Sequence, residues 1–158
     1  MEAYGKIFRK YSAEEIDFNL NIYKPDEKKY HEVICEMKKR GFKQLIINSE
    51  LMIEIMSQVI QNNGFILGIH FTESIDEYLT GKVKDLILKI RHKPMSFIEL
   101  KELLDWTVDN NSIDISRIEL LYKNSKFEIY SNGQIIGGEN INVIFEEILI
   151  HVFKGYLE

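Results

Sequence analysis

His31 and Cys35 stand four apart in "HEVIC", a spacing that puts both side chains on one face of a helix. An imidazole and a thiolate so placed can share a metal ion. Zinc needs a third and a fourth ligand, and the stretch lacks the second histidine of the zinc-protease pattern. His70, His92 and His151 fall on separate segments without ligand spacing. No metal is expected, and these residues read as surface or core-edge side chains.

A second set of polar residues follows two apolar runs. Asn48, Ser49 and Glu50 come after "FKQLII"; His70, Thr72, Glu73 and Ser74 belong to "IHFTES". The carboxyl ends of parallel strands are where open α/β sheets bind ligands. A site for a small molecule at Asn48, Ser49, His70 and Thr72 is therefore one reading. Ser, Thr and Asn are also what helix caps require, and Glu50 and Glu73 would repel a phosphate. The glycines of "GQIIGGEN" sit at a strand-to-helix turn, with no lysine or arginine following to meet an anion; tight-turn geometry is expected there. No nucleophile, base and orienting group come together, so no catalytic residue and no cofactor are expected.

Trp106, the single tryptophan, poses a different question. On a helical wheel started at Phe97, Leu100, Leu103, Leu104 and Val108 join Phe97 in one apolar stripe. Trp106 falls at about 180°, away from the stripe. Glu99, Glu102, Asp105 and Asp109 surround it, with Ile98 on the same side. An aromatic anchor inside a charged rim is the composition of a protein interface. Packing of Trp106 under the N-terminal half of the chain is the competing expectation.

These residues must be held by elements that the hydrophobic pattern outlines. "AYGKIFRKYS" and "IDFNLNIYK" read as a hairpin across "AEE". "PDEKKYHEVICEMKKRG" reads as a helix beginning at Pro25, "FKQLIIN" as a buried strand, and "SELMIEIMSQVIQ" as a helix apolar around most of its girth. "FILGIHF" follows as a strand. Ser74 and Glu77 form a capping box for "IDEYLTGKVKDLILKI", and Ser96 with Glu99 forms another, Met95 stapling Leu100. The alternation of strands and helices predicts a parallel arrangement over residues 16–90. After "DNNS" come three strands, with Asn132-Gly133 as a hairpin turn, and a closing helix. The fold class expected is α/β to α+β. A mixed β-α-β-α-β-α unit, residues 1–93, packs with an α-β-β-β-α unit, residues 94–158, the two forming separate units or one compact domain.

The α-β-β-β-α order, with "KFEIYSNGQIIGG" running directly into the last helix, resembles the double-stranded-RNA-binding fold. In that family the last helix begins with lysines that meet phosphates. The matching stretch here is "ENINVIFEE". The resemblance therefore implies a version used for protein contacts.

Composition sets the remaining bounds. The chain has 158 residues, 45% hydrophobic and 28% charged, as a globular protein does. No apolar run approaches a membrane span, the first residues lack a secretory pattern, and Cys35 has no disulfide partner; a reducing cytoplasm is expected. The net charge of −5 is uneven: +2 over residues 1–47, −1 over 48–94 and −6 over 95–158. An acidic C-terminal third disfavours nucleic acid and favours a basic protein. The sequence thus points to a non-enzymatic regulatory module that binds a basic protein, of the inhibitor, immunity or antitoxin-like kind. A homo-oligomer remains open. A small-ligand sensor using Asn48, Ser49, His70 and Thr72 is the alternative.

Overall fold

The computed structural model describes residues 2–157. A hairpin opens the chain: β1 (Ala3–Tyr11) and β2 (Ile16–Tyr23), closed by a Ser12–Glu15 backbone bond of 2.9 Å. Then come α1 (Tyr30–Lys39), the short β3 (Lys43–Gln44), α2 (Ser49–Gln61), β4 (Phe65–Phe71) and α3 (Glu77–His92). A 3-10 turn, Pro94–Ser96, leads into α4 (Phe97–Asn111). β5 (Ile115–Tyr122), β6 (Ser125–Tyr130) and β7 (Gln134–Gly137) follow. Helix α5, residues 141–157, closes the chain, with a π-helical stretch at Phe145–Leu149.

The fold is a mixed α+β one. Its seven strands make one sheet in the order β2-β1-β7-β6-β5-β4, with β3 added to β1. Every pairing is antiparallel, which corrects the parallel arrangement expected for residues 16–90. Chain order misled because β1 and β4, both early in sequence, pair with β7 and β5 from the C-terminal third. The sheet and the main core therefore run across the expected boundary at residue 93, which itself falls between α3 and the turn before α4.

The period-2 alternation of the strands gives the sheet two different faces. Ile118, Leu120, Phe127, Ile129, Ile135 and Ile7 point to the inner face, where α2, α3, α4 and α5 cover them in one continuous core. Helix α2 lies deepest. Its Leu51, Met52, Ile53, Ile55, Met56 and Val59 are all buried, as its nearly all-round apolarity demands. On the outer face α1 covers β1 and β2 through a small second cluster, Phe8, Tyr23, Val33 and Met37.

Several local expectations shift. Residues 25–28 form a turn, and α1 begins only at Tyr30; Glu32 accepts from the Lys29 N–H at 3.3 Å. Asp76 caps α3 by accepting from the Leu79 N–H at 2.8 Å, so the cap lies two residues beyond Ser74. Ser96 makes no side-chain cap bond, and Met95 is exposed rather than stapled. Only Lys43 and Gln44 of "FKQLIIN" form ladder pairs, because β7 already occupies the edge of β1 up to Lys6. The β6–β7 turn is a three-residue loop with only Gly133 at positive φ; two successive positive-φ residues, Lys123 and Asn124, instead close β5–β6. Gly133 is confined twice over: φ is 86°, and a Cβ there would lie 2.5 Å from the Leu45 carbonyl oxygen. Gly137 is needed for close packing rather than for a turn, since a Cβ would strike the Phe127 ring at 2.6 Å.

Candidate functional site: an acidic groove on the helical side

Helix α4 buries Phe97, Leu100, Leu104 and Thr107 against the main core. The opposite side of the same helix is bare. Trp106 is 50% exposed and Ile98 61% exposed, so the tryptophan does not pack under the N-terminal half. Glu99, Glu102 and Asp109 are exposed as well, and Asp105 is half-buried. The six residues thus share one solvent-facing side, but Ile98 and Trp106 are two turns apart and do not form a single patch. Neighbouring cations tie down two of the acids: Lys89 reaches Glu99 at 3.0 Å, and Lys101 reaches Asp105 at 2.8 Å. The Asp105 hydrogen bond holds the Lys101 amine above the usual lysine range. Glu102 and Asp109 have no ion-pair partner within 4.0 Å among the described residues.

Asp105 and Asp109 also form one wall of a groove of about 730 Å³ between α4, α2 and α5. Its floor is apolar, with Ile53, Val108 and Val152. Glu50 and Glu54 rise from α2, and His151 and Tyr156 from α5. The Tyr156 hydroxyl donates to the Glu50 carboxylate and accepts from the Asn48 amide at 3.4 Å, which ties the end of α5 to the start of α2. Four carboxylates therefore frame a hollow with an apolar floor that, among the described residues, has only Lys101 and His151 as basic lining. The α2 and α5 walls were missed in sequence. Glu54 sat visibly on the polar strip of α2, but nothing in one dimension says that this strip faces α4.

Of the polar strand-end residues, Ser49 and Thr72 meet on Asp114, while the Asn48 side chain serves as a cap and His70 stands apart. Asn48 caps α2, its side chain accepting from the Leu51 N–H at 2.8 Å. The buried Ser49 hydroxyl donates to Asp114 at 3.0 Å and accepts from the Ile115 N–H at 3.0 Å. The Thr72 hydroxyl accepts from the Asp114 N–H at 3.2 Å. Ser49 and Thr72 thus latch the start of β5 from two sides. His70 lies apart from them, on the outer face of the sheet, with its ring nitrogen 3.0 Å from Arg117 and 3.5 Å from Glu119. Arg117 continues that network by donating to the Tyr130 hydroxyl at 3.3 Å, a bond that raises the affinity of the guanidinium for its proton. The Tyr130 hydroxyl donates in turn to Glu128 at 3.1 Å. These charges satisfy one another across β4, β5 and β6. The ligand-end rule that suggested the site applies to parallel strands, and these are antiparallel.

His31 and Cys35 are both exposed on α1. Among the described residues no group of three or more His, Cys, Asp or Glu side chains is placed to hold a metal ion. Nor is any described helix long and apolar enough to cross a membrane.

One buried ionisable group escaped the sequence reading altogether. Lys6 of β1 is 0% exposed. Its amine donates to the Asn132 carbonyl and lies 5.4 Å from the centre of the Tyr30 ring. Removal from water pushes its pKa down to about 8. The same burial raises the phenols of Tyr23 and Tyr30. Alternation in "AYGKIF" assigns Lys6 to one face, but α1 over that face is a tertiary fact.

Compared with family models, with curated proteins and with solved structures, the chain gives no match in any of the three, so the likeness to the double-stranded-RNA-binding fold rests on element order alone.

Proposed function

We propose that this protein is a non-enzymatic, cytoplasmic protein-binding module that takes a basic partner on its acidic helical side. The observation that carries the reading is Trp106: the largest apolar side chain stands half in water beside Glu102 and Asp109, next to a groove framed by Glu50, Glu54, Asp105 and Asp109. Exposing an indole forgoes burial worth about 2 kcal/mol or more, and a partner that covers it recovers that energy. The surrounding carboxylates desolvate at a cost unless cations meet them, so the partner that fits supplies Lys or Arg at the rim. A regulatory protein of the inhibitor, immunity or antitoxin-like kind is the class that this reading proposes.

The test is affinity capture with wild-type protein and with two variants in parallel, Trp106→Ala and Asp109→Lys. A basic protein should be retained at one-to-one stoichiometry by the wild type. Trp106→Ala should weaken it by about 2 kcal/mol as a hot spot does, and Asp109→Lys should slow association most at low salt. A partner held equally by all three proteins would place the interface elsewhere and sink the reading.

A further inference from the structure

The end of α1 gathers positive charge around an aromatic ring. Gly41, with φ at 87°, turns the chain so that the Phe42 N–H bonds back to the Met37 carbonyl at 2.9 Å. The Lys10 amine, from β1, then lies 5.3 Å from the Phe42 ring centre, and the Arg40 guanidinium 5.6 Å from it. Beside the ring is a hollow of about 220 Å³ with walls of Phe8, Ile34 and Phe42 and with Lys38 and Lys43 at its rim. Lys38 suits a helix C-terminus on its own account. Lys10 and Lys43 come from other elements, where no helix dipole calls for them. Among the described residues none of these four cations has a carboxylate within 4.0 Å. Asp17 is the cross-strand neighbour of Lys10, yet the two form no ion pair. Like charges converging on an apolar hollow repel one another, and an anion seated among them removes that repulsion.

We propose that this corner binds a small anion carried on an apolar body, an aryl or acyl phosphate or carboxylate. The hollow has room for about one ring, below the range of drug-sized ligand pockets. The apolar body lies against Phe42 and Ile34, and Lys38 and Lys43 meet the anionic group with charge-assisted hydrogen bonds. The site shares no residue with the acidic groove, so it stands or falls independently of the partner reading.

The experiment is an NMR titration of the full chain with phenyl phosphate, benzoate, inorganic phosphate and phenol. Phenyl phosphate or benzoate should shift Ile34, Phe42 and Lys43 resonances saturably. Whichever of the two binds tighter names the anionic group. Inorganic phosphate and phenol, each lacking one half of the ligand, should bind roughly tenfold more weakly or worse. Lys38→Glu with Lys43→Glu, both at exposed positions, should abolish the shifts while leaving the rest of the spectrum intact. Three results would overturn the proposal: no saturable shift at these residues up to about 10 mM, phenol binding as well as phenyl phosphate, or charge reversal without effect. Duplex RNA displacing phenyl phosphate at lower concentration would assign the corner to nucleic acid instead.

Discussion

The acidic groove and the basic corner rest on very different amounts of core. The groove is framed by α2, α4 and α5, whose inner faces belong to the continuous cluster on the inner side of the sheet. The corner is carried by α1, which meets the sheet through the smaller cluster of Phe8, Tyr23, Val33 and Met37, with Tyr4, Tyr30, Ile34 and Phe42 partly buried against it. Local neutralisation differs in the same way. Lys101 answers Asp105, and the Tyr156 hydroxyl answers Glu50, whereas Lys10 and Arg40 lie against the face of Phe42, Arg40 also donating to the Met37 sulfur, and among the described residues neither has a carboxylate within 4.0 Å. A thick core can hold an open, charged surface rigidly. A thin layer holds its charges by ring contacts and accommodates a buried lysine beside them.

That contrast can be broken first by core truncation. Leu104→Ala empties a fully buried site in the main core and should cost about 3–4 kcal/mol. Met37→Ala, in the thinner layer, should cost nearer 2 kcal/mol, because the surroundings can close in. Chemical denaturation measures both, and equal costs would erase the distinction. Native-state hydrogen exchange sharpens it: amides of α1 should open at lower free energy than those of α2.

Next in size is Lys6. Its folded pKa of about 8 lies below the ordinary lysine value of 10.5. Below pH 8 the amine is charged in both the folded and unfolded states, and the native state carries the full cost of burying it. Between pH 8 and 10.5 the unfolded chain binds more protons, so stability should rise with pH, by up to about 3 kcal/mol. Lys6→Met should flatten that rise. At pH 7 it should stabilise the protein by about 1–2 kcal/mol, the Asn132 carbonyl losing its donor in exchange. Urea melts at pH 7 and pH 9.5 test this directly, and a destabilised, still pH-dependent variant would show that the amine is not the group responsible.

The smallest effect concerns Trp106. Since the side chain is half exposed, Trp106→Ala should change fold stability by no more than about 0.5 kcal/mol. Its fluorescence in the free protein should be red-shifted and open to acrylamide. Blue-shifted, protected emission would mean that the acidic side is already covered in solution.

How much of this could be read in one dimension depended on whether neighbours in sequence or neighbours in space set the outcome. Helix α2 was plain because its apolar residues surround its axis, which only a sandwiched helix can afford. The direction of Trp106 on α4 was plain because 3.6-residue geometry is local: once Leu100 and Leu104 face the core, Trp106 must face away, though whether another layer covers that side was not. The cap of α3 was misplaced by two residues, since Asp76 takes the part read for Ser74, whereas α4 does begin after Ser96 but without a side-chain cap bond. Strand direction failed for a deeper reason. Alternating strands and helices suit a parallel sheet only if the crossovers bring those strands side by side in one direction, and here β7, β6 and β5 lie between β1 and β4.

Local rules therefore outlined most of the elements, the side of α4 on which Trp106 lies and the acidity of residues 95–158, while the exposure of Trp106 was decided by the absence, among the described residues, of a second layer over that side. Strand partners, the meeting of α2, α4 and α5 around one groove, and the cover that α1 lays over Lys6 are contacts between distant segments. Their selection depends on which surfaces exclude water best when all are present at once, and no window of sequence contains that competition.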